Sequence, residues 1–280
     1  MDARSMTLGG RGKARRAANS SAMDAAARWG FGARGVIYLL IGVLALQIAF
    51  GGGGGEQADR GGALAEIAKK PLGSILLWVL GIGLVGMALW RLSEALFGAA
   101  GPDGSKPGKR LLSAVRFVFY GFVAYSVLAF AAGDKSSGQG SSDQQSQDIT
   151  ARAMDWPGGR WIVGIAGVVI VVAGIWVALS AVRRKFHKHL KLGEMSHGAR
   201  RFVDVTGIAG GLGRGFLFAA IGVFVVVAAV EYEPDKAKGF DDTLRSFTGT
   251  PAGPWLLAVV AAGLALFGLF SFGMARWRRV

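Results

Sequence analysis

The chain has 280 residues, of which 52% are hydrophobic and 18% are charged, with a formal net charge of +14 and no cysteine. A soluble domain averages about 25% charged residues, so this composition indicates a membrane protein. The lack of cysteine excludes disulfides and thiol chemistry. We interpret the excess of Lys and Arg as the basic side of a membrane protein, and no nucleic-acid partner is expected.

The N-terminal segment, residues 1–28, is basic and contains many small residues. It has no apolar core of the kind that a secretory signal peptide requires. We therefore expect a basic cytoplasmic tail.

Six apolar segments follow, and each is long enough to cross a bilayer as a helix. They cover roughly residues 33–50, 72–90, 111–132, 161–182, 207–230 and 255–275. Helices satisfy their own backbone hydrogen bonds in lipid. The sequence therefore predicts an all-α integral membrane protein with six transmembrane helices.

The odd-numbered spans share a pattern of an arginine, an aromatic residue four positions later and a small residue eight positions later. The three copies are Arg34, Tyr38 and Gly42; Arg116, Tyr120 and Ala124; and Arg214, Phe218 and Gly222. The repeat predicts that these spans occupy equivalent places.

The even-numbered spans repeat as well, since each follows a proline. Pro71, Pro157 and Pro251 have a glycine two positions later and a small residue ten positions later, which is Gly81, Gly167 or Ala261. Small residues allow close helix contact. The repeating unit is therefore a helical hairpin, and the chain divides into three same-orientation hairpins at residues 29–97, 111–182 and 207–275.

The charge distribution predicts the orientation of the hairpins. The termini and the connectors between hairpins carry 23 Lys and Arg against 6 acids, whereas the hairpin loops carry 9 against 12. The net charges are +17 and −3. Because basic residues collect on the cytoplasmic side, we expect both termini in the cytoplasm of a cell with this protein in its plasma membrane.

Arg34, Arg116 and Arg214 are candidate interface or anion-contacting residues. The uncharged segments after Arg116 and Arg214 are too short to cross the membrane, so these spans must begin before the arginine. We expect all three side chains to anchor outward at the headgroups. The alternative is a set of arginines that face a cavity and bind an anion.

The connector at residues 183–206 is a candidate lipid-binding segment. Its cations are Arg183, Arg184, Lys185, Lys188 and Lys191. Such a segment attracts anionic lipid headgroups by about 1 kcal/mol per cation. Since these cations would repel a metal ion, the nearby histidines are not interpreted as a metal site.

Short runs precede the prolines, at residues 63–70, 149–156 and 243–247. They are weakly amphipathic, so they could lie along the outer membrane interface. A plain loop is the other interpretation.

The chain resembles the bacterial membrane family called domain of unknown function 1206, whose unit of two spans is commonly present three times. The resemblance rests on residues 33–42 and on Leu64 followed by Pro71, Leu72 and Gly73. The second copy departs most, because Phe117 replaces the glycine after the arginine and Ala124 replaces the equivalent of Gly42. The resemblance implies a cell-membrane location and no particular activity or cofactor.

We expect a non-catalytic structural or interaction protein with a basic cytoplasmic face, which contacts the lipid bilayer and a membrane-protein partner. The alternative is a transporter or channel for a small solute or anion through a pseudo-threefold centre. An enzyme is not expected, because the spans contain few ionisable groups.

Overall fold

The computed structural model describes residues 21–50, 56–98, 106–134, 142–249 and 252–279. Within these residues the chain forms nine α-helices and no β-strand. The long helices are α1 (Ser21–Phe50), α3 (Gly73–Phe97), α4 (Pro107–Ala131), α6 (Gly159–Val182), α7 (His197–Glu231) and α9 (Gly253–Trp277). The short helices are α2 (Arg60–Ala68), α5 (Ser142–Met154) and α8 (Phe240–Ser246).

Each of these six long helices is long and apolar enough to cross a membrane, which confirms the predicted fold class. Helices α4 and α7 begin at Pro107 and His197, well before Arg116 and Arg214. The expectation that both spans start ahead of their arginine is therefore confirmed.

One end of the helix bundle contains the helix ends near the two termini, and the other end contains the hairpin loops. At one end, the guanidinium Nη1 of Arg28 donates to the carbonyl of Ala275 at 2.9 Å, which joins the start of α1 to the end of α9. At the other end, the amide of Ser142 donates to the Asp59 carboxylate at 2.8 Å, which joins two hairpin loops. The three hairpins therefore point the same way. We call these the connector end and the loop end.

The long helices form a ring with one opening. The closest pairs are α3 with α4, α6 with α7 and α9 with α1, so each joins the second helix of one hairpin to the first helix of the next. Helices α1 and α3, and α7 and α9, also pack within their hairpins. In contrast, the described parts of α4 and α6 do not pack closely, so the second hairpin is split.

The repeated small residues explain the close pairs. A Cβ added at Gly42 of α1 would lie 2.9 Å from the carbonyl oxygen of Ala261 of α9. A Cβ added at Gly167 of α6 would lie 3.0 Å from the carbonyl oxygen of Gly222 of α7. The two repeated small positions therefore face each other across these interfaces, where they let the backbones touch.

The short helices α2 and α8 pack against the bundle through buried apolar side chains. Leu64 of α2 and Leu244 of α8 are completely buried, and both belong to the core that includes α1, α3 and α9. The plain-loop interpretation is therefore wrong for these two runs, because they are helical, and their apolar side chains pack inside the bundle and close its loop end. An interfacial position stays a prediction.

The glycine after each described proline fits a tight turn. Pro71 and Pro157 lie two residues before α3 and α6 begin, so they are just outside the helices. A Cβ at Gly73 or Gly159 would come within 2.3 Å or 1.9 Å of a carbonyl oxygen of the preceding short helix. Only glycine permits this approach. Pro251 lies outside the described residues.

A first prediction concerns the α6–α7 contact. A Cβ at Gly174 would lie 2.5 Å from the amide nitrogen of Ala219 and 2.6 Å from the carbonyl oxygen of Gly215. Gly174→Ala should therefore lower the free energy of unfolding by about 1–3 kcal/mol through overpacking. Thermal unfolding of the purified protein measures this effect.

Gly164→Ala on the same helix is the matched control, because the added methyl meets its nearest atom at an ordinary 3.6 Å. It should be neutral or slightly stabilising, since alanine favours the helix. Equal unfolding temperatures for the two variants would contradict the packing account.

An arginine-lined cavity as the candidate functional site

The ring of helices encloses a cavity of about 370 Å³ between the connector end and the loop end. Helices α1, α3, α4 and α7 and all three hairpin loops contribute to its wall. The lining residues that concern its chemistry are Arg34, Tyr38, Arg60, Tyr120, Arg214 and Phe218.

Each of the three hairpins contributes residues of the repeat pattern to the cavity wall. The repeated aromatic residues Tyr38, Tyr120 and Phe218 all line it, together with the repeated arginines Arg34 and Arg214. The expectation that the arginines anchor outward is therefore wrong for Arg34 and Arg214. Each lies one helical turn before its aromatic residue, and both turns face the ring centre.

Arg34 is held by groups that carry no negative charge. Its Nε donates to the hydroxyl of Ser271 at 3.1 Å, and the Tyr120 side chain is an electrostatic neighbour. The guanidinium carbon lies 4.8 Å from the ring centre of Phe31 and 5.1 Å from that of Phe267. Aromatic faces attract a cation by about 0.5–2 kcal/mol.

Arg214 is surrounded in the same way. Its guanidinium carbon lies 4.7 Å from the ring centre of Phe267 and 5.2 Å from that of Phe218. Within the described residues its Nε is buried and has no hydrogen-bond partner. Arg34 is close enough to repel it electrostatically. Two cations therefore share one aromatic wall.

Arg116 differs from the other repeated arginines, because it is exposed and does not line this cavity. Its electrostatic neighbours include Arg91, Glu94, Tyr120 and Arg214. Arg116 therefore lies near Arg91 and Arg214 but outside the cavity. Anchoring at the headgroups stays a prediction for this residue.

Arg60 adds a third cation from the loop end, and sequence reasoning missed it. Its guanidinium carbon lies 5.6 Å from the ring centre of Phe122, and burial lowers its pKa. The neighbouring Asp59 carboxylate accepts hydrogen bonds from the amides of Gly62, at 2.9 Å, and Ser142, at 2.8 Å. Asp59 thus fixes the loops, and three cations face one carboxylate in the cavity.

The cavity wall on α4 continues to the outer surface of the molecule. Phe119 and Phe122 line the cavity, yet they are 59% and 51% exposed. They belong to the helix that is separated from α6. The opening in the ring therefore lies beside the cavity, on the side that would face lipid.

The family model described as Domain of Unknown Function (DUF1206) matches residues 29–98, 113–184 and 209–278. The chain belongs to this family. Each matched segment contains one hairpin, so the three-repeat resemblance is confirmed. The uncharacterized protein YxxB of Bacillus subtilis (strain 168) is 32% identical over 244 residues, which cover 87% of this chain and 87% of that protein. No solved structure matches the chain.

A buried ion pair closes the connector end of this DUF1206 ring. Arg91 Nη1 lies 2.6 Å from Glu94 Oε2. Ser113 of α4 donates to the same oxygen at 3.2 Å. Arg278 packs its guanidinium 4.8 Å from the ring centre of Trp90, a contact that no sequence pattern revealed.

The five candidate lipid-binding residues lie together at the connector end, where several already have contacts. Arg184 pairs with Asp204 at 3.4 Å, and Lys191 pairs with Glu194 at 3.4 Å. Lys185 lies 3.9 Å above the ring centre of Trp176. Arg183 and Lys188 are exposed. Hydrogen bonds join the connector to the end of α9, so this surface is held in place.

A second cavity of about 430 Å³ adjoins this surface, and it is lined by Arg184, His197, Arg200, Arg201 and Asp204 among others. Three arginines against one carboxylate suit an anionic headgroup.

Lipid binding at this surface stays a prediction. Purified protein should retain more anionic than zwitterionic lipid, and exchanging Arg183 and Lys188 for serine should reduce the difference, which salt should also reduce. Lipid extraction followed by mass spectrometry measures both. Equal retention of the two lipid classes would contradict the prediction.

Proposed function

We propose that this protein binds an amphiphilic organic anion, whose carboxylate or phosphate head lies between Arg34 and Arg214. The observation that carries the proposal is the pair of cavity-facing guanidinium groups with no carboxylate paired to either among the described residues. This role is non-catalytic, and it replaces outward anchoring as the function of two of the repeated arginines.

The free energy of this arrangement favours a bound anion. Removing an ion from water costs several kcal/mol even after the protein relaxes. The aromatic contacts of Arg34 and Arg214 offset part of that cost, but the two cations also repel each other. Ionisable groups inside membrane spans commonly mark binding sites or pathways. An anion between the two would offset the repulsion and accept a hydrogen bond from the unpartnered Nε of Arg214.

The rest of the wall favours a ligand with an apolar tail. Phe119, Phe122 and Phe218 supply aromatic surface, and Ile37 and Ile41 supply aliphatic surface. The split between α4 and α6 gives such a tail a path into the bilayer. A fatty acid or a lipid with an anionic head combines these two features.

Transport of the anion is a second candidate function. The cavity lining runs from Arg34 and Arg214 to Asp59 and Ser142 at the loop end, so it extends along the membrane normal. Helices α2 and α8 close the loop end in this structure. Transport would therefore require these helices to move, whereas binding alone would not.

We further propose that both termini are cytoplasmic and that the membrane is the plasma membrane, with support from the net charges of +17 and −3 on the two sides. The cysteine-free chain allows a clean test with single cysteines. On intact cells, an impermeant maleimide should label Asp155→Cys at the loop end and leave Lys188→Cys unlabelled. The reverse labelling pattern would contradict the orientation.

Anion binding is tested with oleate and its uncharged counterpart methyl oleate, added to the protein in a neutral detergent. Oleate should raise the unfolding temperature and methyl oleate should not, because only oleate can pair with the guanidinium groups. Arg214→Gln should weaken oleate binding at least about tenfold, since a lost charge-assisted hydrogen bond contributes about 1.5–3 kcal/mol.

Two further variants sharpen this test. Arg152→Gln, at an exposed position on α5 that lines neither cavity, should leave oleate binding unchanged. Arg214→Lys keeps the charge but loses the planar fork of donors, so it should bind oleate more weakly than the wild type. Equal stabilisation by oleate and methyl oleate, or unchanged oleate binding in Arg214→Gln, would overturn the proposal.

A further inference from the structure

The three hairpin loops meet at a cluster of carboxylates. The amino ends of the three short helices carry these acids, namely Asp59 before α2, Asp143 in the first turn of α5, and Asp241 and Asp242 in the first turn of α8. One oxygen from each of Asp143, Asp241 and Asp242 lies within 4.8 Å of the others. Residues from separate hairpins thus form one group.

The hydrogen bonds of this cluster leave one buried oxygen without a partner. Asp241 accepts from the amide of Ala58 at 2.7 Å and from Nε of Arg245 at 2.6 Å, so both of its oxygens are used. Asp143 accepts from the amide of Asp242 through Oδ1 at 3.1 Å. Its Oδ2 has no partner among the described residues, although Asp143 is only 5% exposed.

Such an oxygen requires an explanation, because buried polar atoms almost always have a hydrogen-bond partner. The excess negative charge of the cluster also requires a group that neutralises it. Arg245 is paired to Asp241, whereas Asp59, Asp143 and Asp242 add further negative charge nearby. Buried like charges destabilise the folded chain unless something neutralises them. The neutralising group must be a cation or a proton.

We propose that Asp143, Asp241 and Asp242 bind a divalent cation. The donors are carboxylate oxygens, which hard cations prefer, and the cluster contains no histidine or cysteine ligand. Ca²⁺ suits the site better than Mg²⁺, because it accepts irregular arrangements of six to eight oxygens, whereas Mg²⁺ demands near-ideal octahedral geometry. None of the three ligand residues lines the anion-binding cavity.

The cation would hold the loop end of the ring together. It would join α5 of the second hairpin to α8 of the third, next to the contacts by which Ala58 and Asp59 bring in the first hairpin. Helix α8 and residues next to α2 form the loop-end wall of the arginine cavity. Bound metal would therefore stabilise the closed loop end.

A shared proton is the competing explanation. Burial, and then the neighbouring carboxylates of Asp242, Asp241 and Asp59, raise the pKa of Asp143 from 3.8 to about 6, while Arg245 is already paired with Asp241. A carboxyl whose folded-state pKa is raised stabilises the fold when it is protonated. That contribution is complete below about pH 4 and is lost as the pH rises through about 6.

The experiment uses the full chain in neutral detergent, stripped with EDTA and then titrated with Ca²⁺ at pH 7.5. We expect Ca²⁺ in tenfold excess over its dissociation constant to raise the unfolding temperature by about 2–3 °C. Asp143→Asn should remove that shift. Asp235→Asn, at an exposed acid in the same loop as α8, should keep it.

Asp242→Asn is the second test variant in case Asp143→Asn does not fold, and it should also remove the Ca²⁺ shift. The proposal is overturned if Ca²⁺ fails to stabilise the wild type. It is also overturned if Ca²⁺ stabilises Asp143→Asn and Asp242→Asn as much as it stabilises Asp235→Asn. A wild type whose stability falls between pH 4 and pH 7 without any response to Ca²⁺ would assign the cluster to a shared proton and would equally overturn it.

Discussion

The ring depends on direct contact between helix backbones at equivalent interfaces between hairpins. A Cβ at Gly35 of α1 would lie 3.0 Å from the carbonyl oxygen of Gly268 of α9, and a Cβ at Gly215 of α7 would lie 2.7 Å from that of Gly174 of α6. In lipid, helices associate mainly through such close packing, because the hydrocarbon tails are as apolar as the side chains. Glycines at the same repeat position therefore set the helix positions, and these place Arg34 and Arg214 at the centre.

The second hairpin lacks a glycine at this repeat position. Phe117 of α4 occupies the repeat position of Gly35 and Gly215, and a phenyl ring prevents an equally close backbone approach. On either side of it, Val115 and Val118 are 58% and 67% exposed. This repeat position belongs to the interface with the preceding hairpin, where α4 packs against α3, so the split between α4 and α6 is a separate feature of the second hairpin.

The number of spans and the start of α4 and α7 ahead of their arginines could be predicted, because length, charge and spacing determine them. The direction of the arginines could not. A cation near a helix end is compatible with either face, and the groups that hold Arg34 inward, Ser271 and Phe267, lie more than 230 positions later. The burial of α2 and α8 could not be predicted from the sequence either. A short helix with weak amphipathicity does not indicate which surface it packs against.

The central claim is that Arg34 and Arg214 bind the head group of an anion. Its tail passes between α4 and α6 into the bilayer. A structure of the protein determined experimentally in nanodiscs of anionic lipid tests this claim most directly. We expect density for a head group between the two guanidinium groups, continuous with a tail that passes Phe119 and Phe122 into the bilayer. A ring with α4 packed against α6, and with both arginines pointing outward to the headgroups, would contradict the account.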